Sequence, residues 1–130
     1  MNEIAKLVEA TRNKTLLYVE DDTDIRINVA ELLSNLFAEV ESAKDGLEGL
    51  EAYKKRSFDI VITDIKMPRM NGILLIEAIQ EIKKDQMIII TTAHDEKEYQ
   101  EKFEELGIEH ILYKPITFES LLKTLQEIAK

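Results

Sequence analysis

Ile88, Ile89 and Ile90 stand side by side in the chain, and Ile60, Val61 and Ile62 do the same. A strand with one wet face alternates apolar and polar residues. Apolar side chains at consecutive positions need cover on both faces of a sheet, and helices supply that cover when strands run parallel. Runs of this kind therefore call for layers of helix on either side of a parallel sheet.

The remainder of the chain fits that demand. Thr15–Val19 is a short apolar run. A helical pattern follows it, with Ile25, Val29, Leu32, Leu33 and Leu36 on one face. Asp22 or Thr23 can cap that helix. Ala38–Ser42 reads as a weaker strand. Gly46–Arg56 reads as a helix with Leu47 and Leu50 inward, although Gly49 opposes helix propensity. Phe58–Thr63 is a third strand. Asn71-Gly72 opens a helix carrying Leu75, Ile76, Ile79 and Ile82. Met87–Thr92 is a fourth strand. Asp95–Leu106 is a polar helix with a narrow stripe of Tyr99, Phe103 and Leu106, and Gly107 suits its end. Glu109–Tyr113 is a fifth strand. Thr117 caps a last helix with Phe118, Leu121, Leu122, Leu125 and Ile128 inward. Strand and helix thus alternate five times. With right-handed crossovers this predicts α/β architecture: a five-stranded parallel sheet in a doubly wound three-layer sandwich.

No Gly/Ser/Pro-rich linker divides the 130 residues, the size of one ordinary domain. Residues 14–130 are assigned to it, with 1–13 as an N-terminal extension. Ile4, Leu7 and Val8 allow a short amphipathic helix there, and a partly ordered tail is equally open.

Acidic residues number 26 against 17 basic, a formal charge of −9, which argues against nucleic acid or an anionic membrane as partner. Without cysteine, neither a disulfide nor a thiolate metal site can form. His94 and His110 are too few for a histidine-rich metal site. The apolar runs reach about half a membrane span, and the N-terminus carries no signal-peptide pattern, so a cytoplasmic location is expected.

In doubly wound sheets ligands sit beyond the carboxyl ends of the strands. The first strand is followed by Glu20-Asp21-Asp22 and the third by Asp64. The fourth ends in Thr91-Thr92, and the fifth in Lys114-Pro115. Each piece has an ordinary explanation. An Asp after a strand is commonly a turn residue, and acids favour helix N-termini. Thr suits strand ends, and Lys is usually solvated. Met67 and Met70 read as packing residues, and His94 and His110 as solvated or structural. The joint arrangement is less ordinary. Clustered carboxylates repel, and a divalent cation removes the conflict. Oxygen ligands without sulfur suit Mg²⁺, and Mn²⁺ would fit the same set. Asp21 and Asp64 would be direct ligands, with Glu20 direct or through water and the Lys66 carbonyl as a further donor. Lys114 would pair with Asp64 or with phosphate oxygens, and Thr92 would offer a hydroxyl. A metal, a lysine and a hydroxyl around one carboxylate suit phosphoryl transfer, with Asp64 as nucleophile.

The segments LLYVEDD, IVITDIKMPRMNG, IIITTA and LYKPI, in this order and spacing, resemble the receiver domain of two-component response regulators from about Lys14 to Lys130. The resemblance implies a flavodoxin-like sheet in the order 2-1-3-4-5. It implies Asp64 as phosphoacceptor, Glu20 and Asp21 as the Mg²⁺-binding acidic pair, and the Lys66 carbonyl as backbone ligand. Thr92 corresponds to the switch hydroxyl and Lys114 to the family lysine, whose bond to Pro115 is often cis in the family. Lys66 and His94 occupy positions that tune dephosphorylation. The family often carries an aromatic switch residue three positions before the lysine. Here that position is Ile111, with Tyr113 beside Lys114 instead, so an aromatic rotamer cannot relay the signal from position 111.

The implied partners are a sensor histidine kinase or phosphotransfer protein and a downstream output domain or protein. The fourth helix, fifth strand and fifth helix form the implied output face, through which the family often dimerises. The resemblance describes a signalling module rather than an enzyme, apart from self-catalysed phosphorylation and dephosphorylation. No DNA-binding helical pattern occurs in the sequence, so a stand-alone receiver and one taken from a longer protein both stay open. Three alternatives compete: a pseudo-receiver that takes no phosphate, a Mg²⁺-dependent phosphohydrolase using an aspartyl phosphate, and, weakest, a flavin-binding domain of similar fold, in which Glu20-Asp21-Asp22 would repel a phosphate. Asp22-Thr23-Asp24 superficially fits the second, but its nucleophile belongs on the first strand.

Overall fold

The structure, a computed structural model, describes residues 2–93 and 97–129. Its elements are α1 (Glu3–Thr11), β1 (Thr15–Val19), α2 (Thr23–Ser34), β2 (Glu39–Ala43), α3 (Gly46–Lys55), β3 (Ile60–Asp64), α4 (Gly72–Ile82), β4 (Met87–Thr92), a 3-10 turn (Lys97–Tyr99), α5 (Gln100–Leu106), β5 (His110–Tyr113) and α6 (Phe118–Ala129). The five strands form one parallel sheet in the order β2-β1-β3-β4-β5.

Successive residues of the central strands feed opposite layers. Leu17, Val19, Val61, Ile88 and Ile90 pack with α3, α4 and Phe103 of α5. Leu16, Tyr18, Ile60, Ile62 and Ile89 pack with α1, α2 and α6. This is why the isoleucines stand side by side: each neighbour fills a different core. The edge strand β2 is mostly exposed and carries Glu39 and Glu41, charges that discourage pairing with another chain.

Side-chain caps set the helix starts. Asp22, Asp45 and Asn71 accept from the backbone N–H groups of Ile25, Glu48 and Leu74 at 3.0, 2.8 and 3.0 Å. Thr117 Oγ1 accepts from Ser120 N–H. Gly107, at φ 73°, ends α5 in the left-handed region.

Residues 3–11 are helical, one of the two states open for the N-terminal extension, and α1 lies against α6 with Leu7 buried. Several expected positions differ. The third strand begins at Ile60 rather than Phe58 and takes in Asp64 as its last residue. Phe58 is buried just before it, stacked on Tyr53. Of the expected helix Asp95–Leu106, the described part is the turn followed by α5, with Phe103 buried; Asp95 and Glu96 lie outside the described residues. Leu32, Leu47, Ile82 and Phe118 are exposed rather than inward. They sit at the margins of helical stripes whose centres alone reach the core. Gly49 has a packing reason: a Cβ there would stand 2.9 Å from Val19 Cγ2, so α3 can lie close on β1 only without one.

Candidate functional site

β1 and β3 are neighbours in the sheet, and the carboxyl ends of both carry acids. Glu20 follows β1 and is fully buried; Asp64 closes β3 and is 4% exposed; Asp21 is exposed. Carboxylate oxygens of Glu20, Asp21 and Asp64, one from each, lie within 4.8 Å of one another. Lys114, at the end of β5, reaches across β4 to this cluster. Its Nζ lies 2.7 Å from Asp64 Oδ2 and 3.1 Å from Glu20 Oε1. The Lys114–Pro115 bond is cis.

The backbone holds these groups in place. Asp64 Oδ1 accepts from the Ile65 N–H at 2.8 Å, and Glu20 Oε2 from the Asp22 N–H at 3.0 Å. Lys114 N–H donates to the Thr92 carbonyl at 2.8 Å, tying the ends of β4 and β5. Thr91 is the register partner of Asp64, so Thr92, 1% exposed, lies one residue beyond it.

The loop after Asp64 turns back sharply. Met70 N–H donates to the Pro68 carbonyl, Gly72 N–H to that of Ile65, and Gly46 N–H to that of Met70. Arg69 takes φ 70°, unusual for a side-chain-bearing residue, and its Nη1 lies 3.4 Å from Oδ2 of the buried Asp45 cap. Gly72 lies so close to the Asp64 carbonyl that a Cβ there would strike it. The turn thereby seats α4 directly behind the acid. Asp21, Lys66, Pro68 and Tyr99 line an open cleft on the solvent side.

Charge and burial oppose each other here. Burial raises the Glu20 carboxyl above its ordinary range, and the charge of Asp64 adds to this; the Asp22 N–H and Lys114 lower it but do not cancel the rise. Burial pulls the Lys114 ammonium down. The hydrogen bond and charge of Asp64, then those of Glu20, outweigh it and hold Lys114 above the usual lysine range. The cluster therefore combines a carboxylate that resists ionising with an ammonium that stays charged. Oxygen donors in this number and spacing fit a small hard divalent cation.

Over residues 16–126 the chain matches the response regulator receiver domain family. The chain belongs to that family. Treponema pallidum chemotaxis protein CheY is 31% identical over 118 residues, covering 88% of this chain and 82% of that protein. The sensor histidine kinase RcsC of Salmonella typhi is 29% identical over 125 residues, 96% of this chain but only 13% of the kinase. Among solved structures, Vibrio cholerae CheY4 superimposes with TM-score 0.82 at 34% identity, covering 89% of this chain and 98% of CheY4. Receiver domains are signalling modules of two-component systems, and the flavodoxin-like strand order found here is theirs. Among the described residues no helix is long and apolar enough to cross a membrane.

Of the residues singled out from the sequence, Glu20, Asp21, Asp64 and Lys114 converge directly. Thr92 joins them through the β4–β5 backbone bond, and Lys66 lines the adjoining cleft. Ile111 is partly buried against the α3–α4–α5 core, while Tyr113 is 39% exposed. His94 lies outside the described residues. His110 sits away from the cluster, its Nδ1 3.9 Å from Glu127.

Two contributors escape sequence reasoning. Arg26 Nη1 donates to the Glu20 carbonyl at 2.9 Å and lies 3.4 Å from that of Asp21, fixing the backbone of the acidic pair from α2. An arginine in the first turns of a polar helix face looks merely solvated. Arg69 anchors the turn through the Asp45 cap.

Proposed function

We propose that the chain accepts a phosphoryl group on Asp64 from a histidine kinase or phosphotransfer protein, with Mg²⁺ held by Glu20, Asp21, Asp64 and the Lys66 carbonyl. The observation that carries this reading is the convergence of Lys114 on Asp64 at 2.7 Å inside a cluster of three carboxylates. A structural ion pair would not need the two further acids, whose mutual repulsion is costly without a cation.

Mg²⁺, when bound, neutralises charge on the oxygens of the transferring phosphoryl group. The chain's own residues do the rest. A carboxylate oxygen of Asp64 attacks phosphorus while the P–N bond of the donor phosphohistidine breaks and its imidazole leaves with the electron pair. The product is an acyl phosphate on Asp64. The Ile65 N–H, bonded to Oδ1, and the short rigid strand hold Asp64 so that attack is in line. Lys114 exchanges Oδ2 of Asp64 for a phosphoryl oxygen without leaving the site. Thr92 closes on another, and its movement is passed through the segment ahead of α5 to the face formed by α5, β5 and α6. Signalling is then a shift in population between two packings of one domain. That face is the proposed docking surface for an output partner or for a second copy in a homodimer. The acidic surface and the absence of a spanning helix among the described residues favour a cytoplasmic setting.

The test is intact-mass measurement after incubation with a small phosphodonor. A single Mg²⁺-dependent phosphate adduct in the wild type, absent in Asp64→Asn, supports the reading. An unmodified, folded, Mg²⁺-bound wild type that a phosphorylated kinase also fails to load would contradict it in favour of a pseudo-receiver.

A further inference from the structure

Glu20-Asp21-Asp22 is a strap between β1 and α2, and its ends are fastened differently from its middle. Glu20 N–H donates to the Ala43 carbonyl at 3.0 Å, one residue beyond the paired ends of β1 and β2. Glu20 Oε2 accepts from the Asp22 N–H at 3.0 Å, and Asp22 Oδ1 caps α2 through the Ile25 N–H. Asp21 lies between them and is exposed; its side chain makes no hydrogen bond or ion pair among the described residues. One group from outside the strap reaches its backbone. Arg26 Nη1, from the first turn of α2, lies 2.9 Å from the Glu20 carbonyl and 3.4 Å from that of Asp21. These two carbonyls belong to the peptide groups on either side of the Asp21 Cα. Turning both toward one nitrogen restricts the φ and ψ of Asp21, and with them the direction of its Cα–Cβ bond. By charge alone Arg26 is the wrong residue for this place, because a guanidinium beside the acidic cluster repels a divalent cation.

We propose that Arg26 is a positioning residue of the cation site: by holding the Glu20 and Asp21 carbonyls from α2, it aims the Asp21 carboxylate at the cluster. This rests on the reading that the cluster takes Mg²⁺. A carboxylate already aimed at a site loses less freedom on binding there. Glu20 needs this help least, since its N–H and its Oε2 are both bonded without Arg26. Asp21 needs it most, since its side chain stands in solvent with no partner of its own. Solvent at the partly exposed guanidinium screens the repulsion of the cation, whereas the restraint on the Asp21 backbone is undiminished. Positioning therefore outweighs charge.

The two effects carry opposite signs in Arg26→Met, which removes the charge and both bonds but keeps an apolar stem and a good helix former. The experiment titrates Mg²⁺ alone into wild type, Arg26→Met and Arg26→Lys by calorimetry. Urea unfolding of the cation-free proteins establishes that each is folded under the same conditions. Arg26→Met is expected to bind Mg²⁺ about 10-fold more weakly, as loss of a group supporting a metal ligand does. A guanidinium that only stabilised the fold would leave the affinity of the folded protein unchanged, and one that acted by charge would leave it tighter. Equal or tighter binding in Arg26→Met therefore overturns the proposal while leaving the phosphoacceptor reading intact. A wild type that binds no Mg²⁺ overturns both. Arg26→Lys keeps the charge, but its Nζ falls one bond short of the position of Nη1. It too is expected to bind Mg²⁺ more weakly than the wild type, and wild-type affinity in this variant overturns the proposal even if Arg26→Met does not fold.

Discussion

Lys114 and Asp64 are 50 residues apart in the chain, yet Lys114 Nζ lies 2.7 Å from Asp64 Oδ2. The pair bridges β3 and β5 over the end of β4, and Glu20 on β1 shares the same ammonium. One cation thus links three of the five strands at the end of the sheet where the proposed chemistry takes place.

Lys114→Met removes that link. Two buried carboxylates lose their counter-charge, which costs about 3 kcal/mol when one partner of a buried pair is deleted. Urea unfolding of the cation-free variant is expected to show this loss, and added Mg²⁺ to recover part of it. A variant as stable as the wild type without Mg²⁺ would mean the pair is solvated.

The pH dependence follows from directions alone. Glu20 has a raised carboxyl in the fold, so its contribution is favourable below the ordinary carboxylate range and is lost as pH rises through its folded value. Cation-free wild type is therefore expected to lose stability relative to Glu20→Gln between acidic and neutral pH. Lys114, also raised, acts in a separate window: its contribution persists below the ordinary lysine range and is lost above it. Thermal unfolding of both proteins across pH measures the difference, and parallel curves would contradict the assignment.

Gly72→Ala places a methyl group against the Asp64 carbonyl. Overpacking of this kind costs about 1–3 kcal/mol. It is also expected to slow phosphorylation, since relief comes by shifting the strand end that carries Asp64. Gly107→Ala is the control: nothing lies within 4 Å of its Cβ position, and only its φ of 73° is strained, at about 1–2 kcal/mol. That variant is expected to lose stability with an unchanged phosphorylation rate.

Leu7→Ala tests whether residues 1–13 act as a detachable extension. Leu7 is 2% exposed in the core that also holds Leu36, Phe37 and Leu125. A loss of about 2–4 kcal/mol in urea unfolding is expected for a leucine buried this way. An unchanged midpoint would make α1 an appendage.

Lys66→Asn is expected to change the lifetime of the phosphorylated protein without abolishing phosphorylation, because the side chain is exposed in the cleft while its carbonyl is what the cation would use. Decay of the adduct mass with time measures it.

The layer architecture was legible because β-α alternation is written in period. Ile88, Ile89 and Ile90 cannot share one face, and Leu75, Ile76 and Ile79 must. Where the stripe ends was not legible: Ile82 continues the helical spacing of α4 but is its last residue and stays 55% exposed. The α1 helix was undecided because nine residues with three apolar positions are marginal without tertiary contact, and that contact is made by distant α6. At the site, acids and a lysine at strand ends announce themselves by residue type. Arg26 does not, because what matters is where its Nη1 ends up, and that depends on how α2 docks.

The central claim is that Asp64 carries the phosphoryl group. Borohydride reduction of protein treated with phosphodonor and Mg²⁺ converts an aspartyl phosphate to homoserine, which peptide mass sequencing locates. Homoserine at position 64, and nowhere among the other acids, is the predicted result. Homoserine at Asp21 or Asp22, or a stable phosphate on a hydroxyl such as Thr92 with Asp64 unreduced, would contradict it.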